Sequence, residues 1–170
     1  MYVAFDQLPA TARVWIYQAS RPLTSAEAMS ILPSLARFAE EWTSHGRNLL
    51  ASAQVLHQHF LVLGLDEAVA GASGCSIDAS VRFVAELEQH LGLALLEKSR
   101  LAFVQGGGVR LLDRRALKAA TASGTVVPDT LYFDNTVATK GALDALWPRP
   151  AGQTWLARYF DAVKENPGLA

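Results

Sequence analysis

One cysteine, Cys75, is present among 170 residues, so no intramolecular disulfide can form and no all-cysteine metal cage is available. A lone thiol suits a reducing compartment, and the expected location is cytoplasmic. Charge is scarce too: 18% of residues are Asp, Glu, Lys or Arg, 15 basic against 16 acidic, for a formal charge of −1. Non-specific nucleic-acid binding needs a basic excess that this balance lacks, so no nucleic-acid partner is expected. The longest apolar-looking run, residues 60–65, falls far short of the roughly 20 residues that span a bilayer. The first residues show no basic stretch followed by a long apolar one, so neither a signal peptide nor a membrane partner is read.

What the chain has is apolar content, 51% hydrophobic residues, the opposite of the balance that keeps a chain disordered. This length predicts a single domain, 1–170, with residues 148–170 as a helical extension packed on it. Residues 13–18 (RVWIYQ) are β-branched and aromatic, a short strand. Thr24 then opens a helix, because Glu27 three residues on completes a capping box. Ala28, Ile31, Leu35, Phe38 and Trp42 make its inward stripe, Gly46 is its expected stop, and Pro33 is expected to kink it. Two strands follow at 49–56 and 59–65, the second so uniformly apolar that it reads as covered on both faces or central.

A small-residue loop leads to a second helix starting near Ser76, with Ile77, Val81, Val84, Leu87 and Leu91 inward and Gly92 as its end. Residues 101–105 and 109–112, joined by three glycines, read as a hairpin. A short helix at 114–122, a strand around 130–133, a helix at 139–146 and a last amphipathic helix at 154–163 complete the pattern. The order predicts an α+β fold: a mainly antiparallel sheet with helices packed on one face, its first half in the ferredoxin-like, split βαβ order.

The most specific local feature is the run from Gly71 to Asp78 (GASGCSID). A glycine-bearing loop entering a helix converges backbone amides under the positive end of the helix dipole. Cys75 there reads as a nucleophile or redox thiol, with His59 as base and Asp78 or Asp66 orienting the imidazole. Ser73, Gly74 and Ser76 read as an anion or ligand cradle. In the plainer reading of the same residues, Ser76 caps the helix, Asp78 complements its dipole and Cys75 is a small buried hydrophobe. Trp42 and His45, at the end of the first helix, could line a pocket; alternatively His45 serves the helix dipole and Trp42 anchors the helix. His57 and His59 share a side of an extended backbone and could hold a metal with His45 or Asp66. Neither Gly71–Gly74 nor Gly106–Gly108 fits a phosphate-binding loop or a dinucleotide fingerprint, so no cofactor is expected.

Taken together, residues 13–18 (RVWIYQ), 42–46 (WTSHG) and 66–83 (DEAVAGASGCSIDASVRF) resemble a family of small uncharacterised bacterial proteins of Bacteroidetes type. The likeness spans most of the chain and is most specific around Cys75. Members of that family sometimes carry the label "ABC transporter ATPase". The chain has no phosphate-binding loop and no Leu-Ser-Gly-Gly-Gln-like signature, so the resemblance implies no ATPase and assigns no catalytic residues. The expectation is a non-catalytic binding or assembly domain whose apolar surplus serves self-association or a protein partner, with a small anionic ligand also compatible. A thiol-dependent enzyme or redox sensor through Cys75 and His59, and a metal protein through His57 and His59, are the alternatives.

Overall fold

The computed structural model describes residues 1–164, and side chains through Asp161. The fold is α+β. Where the sequence suggested one domain with an extension from residue 148, the chain divides into two compact units. Met1–Glu97 with Val137–Ala145 form the first, and Lys98–Thr136 with Leu146–Ala170 the second.

The first unit is built on strand β1 (Arg13–Gln18), helix α1 (Ser25–Glu41), the two-residue strands β2 (Thr43–Ser44) and β3 (Arg47–Asn48), strands β4 (Leu50–Leu56) and β5 (Phe60–Asp66), and helix α2 (Gly74–Leu91). The main sheet has the order β1-β5-β4, with β5 antiparallel to both neighbours. β1 and β4 are therefore parallel with β5 inserted between them, the split βαβ arrangement. Ala138 accepts from Val14 N and Thr139 bridges Arg13, which occupies the free side of β1.

Alternation along these strands decides the layers. Ala51, Ala53, Leu61, Leu63 and Leu65 face α1 and α2, meeting Ile31, Leu35, Ala39, Val84, Leu87 and Leu91 in one apolar core. On the opposite face Gly64 lies under Phe5 and Leu8, and an added Cβ there would sit 2.5 Å from Leu8 Cδ1. Covered on both sides, β5 is buried from Phe60 through Leu65, as its unbroken apolar run predicted.

The capping box of α1 is present, with Glu27 N donating to Thr24 Oγ1 at 3.1 Å and Thr24 N to Glu27 Oε2 at 2.8 Å. The helix stops at Glu41, earlier than Gly46 suggested, and Pro33 lies inside it. Gly46 instead closes a two-residue hairpin. His45 and Gly46 both have positive φ (51° and 75°) between paired Ser44 and Arg47, which fits a turn whose two central residues are left-handed. Helix α4 (Lys140–Leu146) overlaps the end of this unit's second segment.

In the second unit, β6 (Arg100–Gln105) and β7 (Gly108–Asp113) form the glycine hairpin, with Gly106 and Gly107 at φ 58° and 78°. β8 (Leu131–Tyr132) and β9 (Arg149–Pro150) extend the sheet to β7-β6-β8-β9. Helices α3 (Leu117–Ala122) and α5 (Ala157–Lys164) accompany a core of Leu101, Phe103, Leu117, Tyr132, Leu156 and Phe160. The last helix thus belongs with residues 98–136 rather than forming an extension of its own.

Candidate functional site

The amide-rich start of α2 is built differently from its sequence reading. Ser73, not Ser76, is the cap: Ser76 N donates to Ser73 Oγ at 3.2 Å and Ser73 N donates to Ser76 Oγ at 2.8 Å. Ile77 N is taken by Ser73 O, and Trp42 Nε1 donates to Ser76 O at 2.9 Å. Ser73 and Ser76 are thus engaged with one another, and Trp42 is a buried anchor tying the end of α1 to the start of α2. Because the helix starts at Gly74, Asp78 lies beyond its first turn and is exposed. Cys75 is exposed too, which overturns its reading as a small buried hydrophobe.

His59 does not join Cys75. It precedes the first residue of β5, whereas Asp66 ends that strand on the side leading to α2. Leu50 pairs with Asp66, Leu49 N donates to Trp42 O, and Trp42 reaches Ser76, which fixes the start of α2 at the Asp66 end. A strand of this length spans about 20 Å, so the nucleophile–base pair of Cys75 and His59 is not assembled. The His59 side chain is buried, and burial pushes its pKa down against a hydrogen bond to the His57 backbone that acts the other way. His45, expected at a helix end, sits exposed in the β2–β3 turn. Among the described residues no group of three or more His, Cys, Asp or Glu gathers as a metal site, so the His57 and His59 pair finds no third ligand.

A different feature of the first unit has the form of a binding site. An open trough of about 570 Å³ runs between α1, β4 and the N-terminal segment. Ala28, Met29 and Leu32 form its α1 wall, Ala53 and Val55 its floor, and Tyr2 and Phe5 its end, with His57 and Gln58 at the turn. Met29 is 69% exposed, Leu32 50% and Tyr2 41%. Three large apolar side chains open to water around one depression are an unusual concentration for a surface.

The floor is an edge strand. Val3 N donates to Ala51 O and Ala51 N to Met1 O, so Ala51 turns its backbone groups away from β5. By alternation Ala53 and Val55 do the same. Met1–Val3 leave the edge before reaching them, and no described backbone group pairs with these two residues. The sequence analysis missed this trough, although Met29 and Leu32 each lie one position off the Ala28–Ile31–Leu35 stripe and so had to project beside it.

No protein family, curated protein or solved structure gives a significant match to the chain. Among the described residues no helix is long and apolar enough to cross a membrane.

Proposed function

We propose that this protein is a non-catalytic binding domain whose first unit takes an extended segment of another polypeptide as a further strand along β4. The observation that carries this reading is the unpaired edge at Ala53 and Val55 beneath the exposed Met29 and Leu32. Free N–H and C=O groups on an edge select an extended backbone, and apolar pockets beside them select alternate side chains. The same edge already accepts one added strand, Met1–Val3, in the next register position. The rim bears Gln54, His57 and Gln58 and no carboxylate or lysine, which favours a largely uncharged segment as occupant.

Selection of a random dodecapeptide display library on the full chain tests the reading. Enriched sequences should alternate apolar residues, and their binding should drop at least tenfold in Leu32→Glu and in Val55→Pro. Val55 N–H points out of the ladder, so the proline removes an edge donor without breaking the pairing to β5, and circular dichroism checks that each variant is folded. No enrichment, or enriched peptides indifferent to both variants, overturns the proposal. A concentration-dependent dimer lost in the same variants makes a second copy of the chain the occupant and equally overturns the partner reading.

A further inference from the structure

The nearly neutral chain conceals a division of charge. The first unit holds six Lys+Arg against eleven Asp+Glu, the second nine against five. In the second unit two of those cations converge on one ring. Arg114 Cζ lies 4.9 Å from the Trp155 ring centroid and Arg158 Cζ 5.3 Å, with Arg158 also 5.1 Å from Tyr159. The Trp155 indole is fixed in turn, because its N–H bonds to the Tyr132 hydroxyl and its ring meets Tyr132 edge-on at 6.3 Å.

We propose that this arrangement is an anion site of the second unit, holding a phosphate-bearing ligand between Arg114 and Arg158. The two guanidiniums share one ring and lie no further apart than the sum of their distances to it, about 10 Å. Arg13–Glu67, Arg21–Glu27, Lys140–Asp144 and Arg149–Asp134 are ion pairs, and neither Arg114 nor Arg158 takes part in them. Asp113 accepts from Arg115 N as a cap.

Stacking on an indole face satisfies the flat side of a guanidinium and leaves its N–H edge directed elsewhere. Two such edges suit a group with two charges and several acceptor oxygens, which a phosphate offers and a single carboxylate does not. Arg115 and Lys118, exposed beside Arg114 in sequence, deepen the local positive potential.

Calorimetric titration of the full chain with inorganic pyrophosphate at low salt is the test, with adenosine diphosphate as the second arm. Pyrophosphate should bind one to one and weaken as salt rises. Arg114→Gln and Arg158→Gln should each weaken it roughly tenfold, while Arg82→Gln, an exposed arginine of the first unit, should not. Equal affinity for the two ligands means that phosphate alone is recognised; tighter adenosine diphosphate means that the ring joins the contact. Failure of both ligands to bind, or equal weakening by the Arg82 variant, overturns the site. Melting curves show that the variants remain folded, and peptide binding to the first unit is unaffected by either result.

Discussion

Arg149 donates from Nη2 to Asp134 Oδ2 at 2.6 Å, while its Nε, also shielded from solvent, bonds to nothing among the described residues. Asp134 is 1% exposed, and its other oxygen accepts from Thr136 Oγ1 at 2.6 Å and Thr136 N at 3.2 Å. Burial pushes the Asp134 carboxyl up, but the bonds from Thr136 and Arg149 outweigh it and hold the group below the usual carboxylate range. Its stabilisation is therefore full above the unfolded value of about 3.9 and is lost as pH falls through the lower folded value. Arg149→Met strands a buried carboxylate and should cost about 3–5 kcal/mol at pH 7. The deficit should shrink near pH 4, where the stranded group takes up a proton. Asp134→Asn should cost less, about 1–3 kcal/mol, because the partly exposed guanidinium can turn to water. Urea denaturation at the two pH values checks both.

The turn joining β4 and β5 places two side chains where glycine or asparagine is usual. His57 and Gln58 have φ of 49° and 54°, and His59 N closes the turn on Leu56 O at 3.0 Å. A left-handed residue with a Cβ costs roughly 1–2 kcal/mol, and glycine returns part of that gain by loosening the unfolded chain. Gln58→Gly should thus raise stability by about 0.5–1 kcal/mol in chemical denaturation. Since Gln58 also borders the trough, the same variant should lower affinity for the selected peptides.

That turn also marks where the sequence stopped being legible. The strand after it was readable because β5 is apolar from Phe60 through Leu65, as β1 was because it is β-branched and aromatic. The join lacked Asn-Gly or Asp-Gly, so its hairpin carried no local signature. Thr24 and Glu27 announced the start of α1 by a self-contained box, whereas the start of α2 was placed near Ser76 because that serine was read as the cap that Ser73 provides. Gly64 passed unnoticed inside an apolar run; its reason, Leu8 lying where a Cβ would go, involves a segment more than fifty residues away. The division into two units was hidden for the same reason, since residues 137–145 return to the first unit after the whole hairpin of the second. The site was less legible still, because an unpaired strand edge is a property of what neighbours leave open.

Acid titration of Glu27 offers a local check on the α1 start. Arg21 grips its carboxylate with both terminal nitrogens, at 2.8 and 2.9 Å, and Thr24 N adds a bond at 2.8 Å. The Arg21 bonds, then the Thr24 amide, hold this carboxyl down to about 2. Its contribution is present above the unfolded carboxylate range, about 4.3, and is lost as pH falls from there toward 2. A side-chain carboxyl titration by nuclear magnetic resonance should place the midpoint near 2 and find it shifted up in Arg21→Ala. A midpoint near 4.3 in the intact protein would mean that the fork does not persist in solution.

Cys75 separates a scaffold position from a reactive one. Its side chain is exposed at the second residue of α2, with His59 beyond the far end of β5. An accessible thiol needs no unfolding to react, so Ellman's reagent should label the native chain stoichiometrically, at a rate within a few-fold of that in 8 M urea. Cys75→Ser touches no packed core, and its effect should stay within about 0.5 kcal/mol. Neither the trough nor the Trp155 cluster includes this residue, so the serine variant should bind selected peptides and pyrophosphate as the parent does. A loss of either ligand on that substitution, with the fold intact, would return the thiol to the centre of the protein's function.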